Sequence, residues 1–151
     1  MTPPPVSSSK MIGPKGHETG GGVSQGRLII ISAPSGTGKT SVIKCLLAKY
    51  PDRIHSVSWT TRSKRKNEIE NQDYHFVDEA AFKTGIQTGA FAEWAEVHGA
   101  YYGTPIAPLQ RWLKEGMQVL LDLDVQGALN LKKIFGAQAV TLFLLPPSEK
   151  E

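Results

Sequence analysis

The segment from Arg27 to Tyr50 restricts the possible folds of this chain more than any other part of the sequence. Leu28 to Ile31 is a short apolar run rich in β-branched residues, which predicts a strand buried on both faces, as in a parallel sheet. A glycine-rich turn follows, and apolar residues then recur at helical spacing from Ser41 to Tyr50. A strand, a tight turn and a helix in this order predict an α/β domain.

The turn has the composition of a phosphate-binding loop. Its glycines allow backbone N–H groups to point inward, and the following helix adds its positive N-terminus. Lys39 can reach the β- and γ-phosphates of a nucleoside triphosphate, and the Thr40 hydroxyl can ligate Mg²⁺. A chance glycine turn is the alternative, but the flanking strand and helix argue against it. The predicted ATP-binding residues are Ala33, Pro34, Ser35, Gly36, Thr37, Gly38, Lys39 and Thr40, with Ala33 in the place of the usual first glycine.

The second half of the chain again alternates strands with helices. The pattern predicts strands over Val119 to Leu121 and Ala139 to Leu145, with a helix from Val125 to Phe135 between them. Before them, Thr104 is expected to cap a helix that stops at Gly116. The order implies a P-loop NTPase-type parallel sheet flanked by helices, with right-handed crossovers.

The chain divides into three predicted regions. Residues 60–104 mix short alternating stretches with one helix near 79–88, which predicts an inserted α+β lobe. The core is then formed by residues 27–59 and 105–151. Residues 1–26 are rich in Pro, Ser and Gly and are expected to form a disordered tail. A transit peptide is the alternative, although such segments are usually rich in arginine and this one has none.

Composition and charge argue against several classes of protein. The net charge is only +3 and the basic residues are spread along the chain, so neither nucleic acid nor a membrane surface is an expected partner. No apolar run approaches the roughly 18 residues of a membrane span, and no secretory signal is recognisable. Cys45 is the single cysteine and the four histidines lack metal-ligand spacing. A cytoplasmic protein is therefore the expectation.

Two acids follow the predicted strand at residues 119–121. Ligands of open α/β sheets gather at the carboxyl ends of the strands, so Asp122 and Asp124 are expected to lie at the site. Asp122 is predicted to act as a Walker-B-type acid that holds Mg²⁺ directly or through water. The alternative is that both are ordinary carboxylates of a turn.

Five motifs occur in the order and spacing of one family. They are Ser58 to Arg65 with Glu68 after it, Asp73 to Val77, Phe91 to Ala95, Tyr101 to Thr104, and Leu121 to Gly127. With the glycine loop they make the chain resemble guanylate kinase from Arg27 to Ser148. The resemblance implies a nucleotide-monophosphate-binding lobe and transfer of the terminal phosphoryl group of ATP to GMP, giving ADP and GDP.

The resemblance implies a site for the GMP phosphate. Arg62 and Arg65 would hold it and Tyr74 and Tyr102 would donate hydroxyls to it. Two guanidinium forks can neutralise and orient a dianion. The alternative is a solvated basic run or an RNA-binding patch at residues 64–66, which the acidic residues directly after it interrupt. Lys39, Arg62, Arg65 and Asp122 would be the catalytic residues.

The resemblance also implies residues that recognise the guanine base. Glu93 would accept N1–H and N2–H₂ of guanine, two adjacent donors that adenine does not offer. Thr104 would reach O6, and Ser58 and Asp124 would line the acceptor site. Thr40 and Asp122 would hold Mg²⁺.

The sequence departs from the family pattern in two respects. Asn67 and Asn71 stand where the family commonly has glycine, and asparagine is the next most tolerant residue in left-handed conformations. The family also continues past the position of Glu151 into a lid with arginines that contact the triphosphate, so a truncated chain that binds nucleotide without turnover is a further alternative.

The sequence leaves two alternative functions: a non-catalytic guanylate kinase-like binding module, and a P-loop kinase that phosphorylates another acceptor. Lys39, Thr40 and Asp122 favour an enzyme, and Glu93 with Thr104 favours guanine.

Overall fold

A computed structural model describes residues 25–34 and 37–147. All but the last two residues of the predicted tail therefore lie outside the described residues, as do Ser35 and Gly36 of the loop and residues 148–151.

The described residues form eight strands, four α-helices and one 3₁₀ turn. In chain order these are β1 (Arg27–Ser32), α1 (Lys39–Lys49), β2 (Ile54–His55), β3 (Trp59–Thr60), β4 (His75–Phe76), α2 (Glu79–Gln87), β5 (Phe91–Val97), β6 (Ala100–Pro105), α3 (Ile106–Lys114), β7 (Gln118–Asp122), α4 (Val125–Phe135), the 3₁₀ turn (Gly136–Gln138) and β8 (Ala139–Phe143).

The first sheet is parallel throughout and has the strand order β2-β7-β1-β8. β1 is an interior strand because it pairs with β7 on one side and β8 on the other, which explains why its sequence is almost continuously apolar. In the register of β1 and β7, Ile31 lies opposite Asp122. The carboxyl end of β7 is therefore beside the start of the glycine loop.

Apolar side chains are buried on both faces of this sheet. Leu28 and Ile30 of β1 are fully buried in one cluster with Leu109 of α3 and Leu131 of α4. Their neighbour Ile31 points to the opposite face because strand residues alternate, and there α1 contacts β1 and β7. Helices on both faces of a parallel sheet confirm the predicted P-loop-type α/β fold.

The second sheet contains strands from the region predicted to be an inserted lobe and has the order β4-β3-β6-β5. β3 pairs parallel with β4 and antiparallel with β6, which forms a hairpin with β5. Phe82 of α2 is fully buried against this sheet, with its ring stacked on Phe91 at 4.5 Å between centroids. At the turn of the hairpin His98 and Gly99 both have positive φ, as two-residue hairpin turns of type I′ require.

Two sequence predictions about local structure need correction. Thr104 does not cap a helix: it is fully buried in β6, and α3 begins after Pro105 at the N-cap. The strand predicted to run to residue 145 ends at Phe143. Of the two asparagines, Asn71 adopts the left-handed conformation with φ 63°, whereas Asn67 does not.

Candidate nucleotide site

The glycine loop lies between the interior strand β1 and helix α1. Thr37 closes part of it by donating its hydroxyl to the Pro34 carbonyl at 2.8 Å. Gly38, with φ +81°, is the N-cap of α1 and offers no side-chain acceptor to the helix. The first N–H groups of α1 are thus left for an external anion, and the helix dipole favours one there.

Lys39 connects this loop to the end of β7. Its Nζ atom is 2.7 Å from Asp122 Oδ1 and donates to the Leu123 carbonyl at 3.4 Å. An ammonium group has three donors, so these two acceptors leave one for a further partner. The loop and the acid strand are therefore held together by the side chain predicted to bind the phosphates.

A cavity of about 710 Å³ opens beside α1 and β7. Six of the predicted site residues line it, from both the core and the predicted lobe: Thr40, Ser58, Arg62, Arg65, Tyr74 and Asp122. The residues predicted for Mg²⁺ thus face the same space as three of the four predicted for the acceptor phosphate, and the fourth, Tyr102, does not line the cavity. Among the residues that the structure describes, no cluster of three or more His, Cys, Asp or Glu side chains could hold a metal without help.

Arg62 is bound by Glu68 through two hydrogen bonds. The Nη1 atom donates to Glu68 Oε2 at 3.0 Å and Nη2 to Oε1 at 2.6 Å, while Nη1 also donates to the Ser63 carbonyl at 3.0 Å. Each partner stabilises the charge of the other: the bonds from Arg62 hold the pKa of Glu68 at about 2, and those to Glu68 raise the pKa of Arg62. Both groups are charged at neutral pH.

Arg65 differs from Arg62 in its surroundings. Its backbone N–H donates to Glu68 Oε2 at 2.8 Å, but its side chain is exposed and makes no ion pair with the described residues. One carboxylate therefore contacts both arginines, through the side chain of one and the main chain of the other.

Tyr74 packs beside the Arg62 guanidinium, whose carbon atom lies 5.3 Å from the ring centroid. The Tyr74 and Tyr102 rings contact each other edge to face at 5.9 Å. Burial, with a smaller contribution from Asp122, raises the pKa of Tyr74 above its ordinary value. Its hydroxyl is therefore protonated at neutral pH and able to donate.

A second cluster lies where β5 packs against α4, apart from the residues that line the cavity. Glu93 and Thr104 are register partners, and the Thr104 hydroxyl donates to Glu93 Oε1 at 2.6 Å. Asp124 caps α4 by accepting from Gly127 N at 2.7 Å. Burial raises the pKa of Glu93, the Thr104 hydrogen bond opposes that rise, and the charge of Asp124 adds to it.

Three residues of this region were not assigned a role from the sequence. Glu68 was only part of a motif, and its partnership with Arg62 depends on how the loop folds back. His55 lines the cavity, where burial lowers its pKa against the effect of nearby Asp122. Gly127 packs closely on both carboxylates: a Cβ there would lie 3.2 Å from Glu93 Oε2 and from Asp124 Oδ1, so these side chains would have to move by a few tenths of an ångström.

Comparison with known proteins shows the family of the chain. The guanylate kinase family model matches residues 25–151. The chain belongs to the guanylate kinase family. The guanylate kinase of Syntrophotalea carbinolica is 49% identical to it over 126 residues, 83% of this chain and 60% of that protein. That of Shewanella violacea is 48% identical over 128 residues, 84% of this chain and 61% of that protein.

The crystal structure of guanylate kinase from Anaplasma phagocytophilum superimposes with a TM-score of 0.72 at 36% identity. The match covers 83% of this chain and 62% of that chain. This member of the guanylate kinase family thus spans about three-fifths of the length of the relatives it matches. No helix in residues 25–34 and 37–147 is long and apolar enough to cross a membrane.

Proposed function

We propose that this chain binds ATP and GMP and transfers the terminal phosphoryl group of ATP to GMP. The observation that carries the proposal is the shared cavity, in which Thr40 and Asp122 face the same space as Arg62, Arg65 and Tyr74. A site with a metal-binding end and an anion-binding end in one cavity suits two phosphorylated substrates that meet head to head.

The donor end would bind ATP through the loop at residues 33–40. The free N–H groups at the start of α1 would bind phosphate oxygens, and Lys39 would extend its remaining donor to the β- and γ-phosphates. Mg²⁺ suits the oxygen donors of Thr40 and Asp122, since this ion takes one or two protein ligands and completes its shell with water and phosphate. When bound, it neutralises charge that develops on the transferring group.

The acceptor end would bind the phosphate of GMP. Arg65 supplies an exposed guanidinium, Arg62 supplies the donors that Glu68 and Ser63 leave free, and Tyr74 with Tyr102 supplies hydroxyls. Ser58 lines the same cavity. These groups would fix an acceptor oxygen in line with the γ-phosphorus, and such positioning accounts for most of the catalysis in phosphoryl transfer.

Guanine would be read by Glu93. The single Thr104 hydroxyl donor goes to Glu93 Oε1, so the expected contact of Thr104 with O6 would require that hydroxyl to turn away from the carboxylate. An ionised Glu93 can accept the two adjacent N–H donors of guanine, while the buried Thr104 hydroxyl holds one of its oxygens in place. Adenine would face the carboxylate with an acceptor at N1 and leave it unpaired in a half-buried site, which is how a polar pocket rejects the wrong base. Asp124 would line the acceptor site beside Glu93.

The test is coupled ADP release by this chain with ATP and Mg²⁺, with GMP, AMP, CMP or UMP as the acceptor. We expect turnover with GMP at least tenfold faster than with AMP. E93Q should abolish that preference, because an amide presents one donor where guanine needs acceptors. E96Q is the matched control, since Glu96 is an exposed carboxylate on the same strand.

Each result of this assay has a distinct meaning. A preference for AMP would refute the assignment of Glu93. Binding of GMP without any ADP release would refute transfer by this chain and favour a binding module. Loss of the preference in E96Q as well as in E93Q would mean that the strand, not the carboxylate, sets it.

A further inference from the structure

Glu68 occupies an unexpected place, since it puts a negative charge beside the arginines proposed to bind a dianion. It lies in the same cavity as Arg62 and Arg65 and contacts both of them. Its side chain and that of Arg62 are largely shielded, with 16% and 19% of their surfaces exposed. A carboxylate in this position either competes with the substrate phosphate or prepares the arginines for it.

The donor geometry of Arg62 decides between these two roles. A guanidinium has five N–H donors. Glu68 takes one from Nη1 and one from Nη2, and the Ser63 carbonyl takes the other from Nη1. Glu68 and Ser63 do not use the Nε–H and the second Nη2–H, and these two donors lie parallel along one edge of the guanidinium plane. The Tyr102 hydroxyl lies near enough to the guanidinium to help raise the pKa of Arg62.

The Nε–H and the second Nη2–H of Arg62 form a pair of parallel donors. Parallel N–H pairs bind carboxylate and phosphate oxygens in bidentate fashion. Glu68 therefore leaves a complete fork in place and fixes the plane that carries it. Tyr74 and Phe76 pack on Arg62 at 5.3 and 5.9 Å, which restricts the plane further.

Glu68 also shapes the turn that carries the second arginine. Its Oε2 atom accepts from Arg65 N at 2.8 Å, and Glu68 N donates to the Arg65 carbonyl at 3.1 Å. The main chain of residues 65–68 is closed by these two bonds, so the base of the exposed Arg65 side chain is fixed relative to Arg62.

We propose that Glu68 is a positioning residue that preorganises Arg62 and Arg65 for the phosphate of the acceptor nucleotide. The inference rests on the proposed function for the identity of that nucleotide. It predicts that removal of the negative charge weakens binding of the phosphate, although simple charge counting predicts the opposite.

The test compares the wild-type chain with E68Q and measures equilibrium binding of GMP and of guanosine by calorimetry. E68Q should weaken GMP binding about tenfold, the low end of the range for hydrogen bonds to charged groups. Guanosine binding should change less than about twofold, because guanosine lacks the phosphate. E70Q is the matched control: Glu70 lies in the same loop but pairs with His75, and both affinities should be unchanged.

A second measurement does not depend on nucleotide binding. Phenylglyoxal modifies free guanidinium groups, and peptide mass spectrometry reports the rate at each arginine. In the wild-type and E70Q chains Arg65 should react at least about tenfold faster than Arg62, and in E68Q the two rates should converge.

The possible results separate this inference from the proposed function. GMP binding by E68Q equal to or tighter than that of the wild type would overturn the positioning role in favour of competition. An equal loss of GMP and guanosine affinity would reduce Glu68 to a structural role, as would unchanged reactivity of Arg62. If the wild-type chain binds AMP rather than GMP, the proposed function fails, but the ratio of AMP to adenosine affinity and the modification rates still test Glu68.

Discussion

Substitution of Thr104 by valine tests how the guanine-reading carboxylate is supported. Valine has nearly the same shape, and Thr104 is fully buried, so T104V removes little except the hydroxyl that donates to Glu93 Oε1 at 2.6 Å. A hydrogen bond to an ionised group contributes about 1.5–3 kcal/mol, and one to a neutral group about 0.5–1.5 kcal/mol. At pH 8 we expect T104V to lower the free energy of unfolding by about 2 kcal/mol, or Tm by about 4–8 °C.

The effect should depend on pH, with a sign that follows from the pKa of Glu93. Burial raises that pKa in the folded chain, so the folded state holds more protons than the unfolded state between the ordinary and the raised value. Stability therefore falls as pH rises through this window. T104V removes the hydrogen bond that opposes the rise, so the total loss of stability becomes larger and continues to a higher pH. At pH 3, well below the ordinary pKa of a glutamate, the carboxyl is protonated, and the loss in T104V should shrink to about 1 kcal/mol.

Thr60 provides the matched control. It is a fully buried threonine of the adjacent strand β3, and its hydroxyl accepts from Arg62 N at 3.2 Å rather than bonding a carboxylate. T60V should therefore cost about 1 kcal/mol at both pH values. Thermal unfolding of both variants followed by circular dichroism gives the comparison. A loss in T104V that stays constant with pH, or that T60V reproduces, would refute the idea that Glu93 is ionised and held by Thr104.

Three further substitutions test the packing of the lobe and the donor end. F82A should lower the free energy of unfolding by about 3–5 kcal/mol in urea titrations, because Phe82 is fully buried and stacked on Phe91. A loss below 1 kcal/mol would contradict this. G103A should cost about 1–3 kcal/mol, since its Cβ would lie 2.8 Å from Phe91 Cδ1 and 2.9 Å from Phe82 Cζ. A neutral G103A would mean that both rings can shift. D122N should raise the Mg²⁺ concentration needed for half-maximal ADP release severalfold, and an unchanged Mg²⁺ titration would remove Asp122 from the metal site.

The prediction from sequence succeeded best where a local pattern decides the structure. The apolar run of β1 and the helical period of α4 depend on the residues themselves, and α4 begins and ends where the spacing predicted. Asn71 is a similar case, because the demand for a left-handed conformation is local and asparagine tolerates it. The prediction that Thr104 caps a helix was wrong for the opposite reason. Its sequence neighbours favour a cap, but its partner Glu93 lies on another strand and determines its role.

The class of fold and the chemical groups available to the site can be predicted from the sequence, because hydrophobic periodicity, the glycine loop and the motif spacing are properties of short segments. The way in which those groups pair depends on the folded chain. The Lys39–Asp122 pair joins residues 83 positions apart, and the Glu68 carboxylate contacts Arg62 because a loop turns back on itself. Hydrogen bonds and burial act between atoms that are close in space, so the charge and orientation of each side chain follow from contacts that no local pattern records.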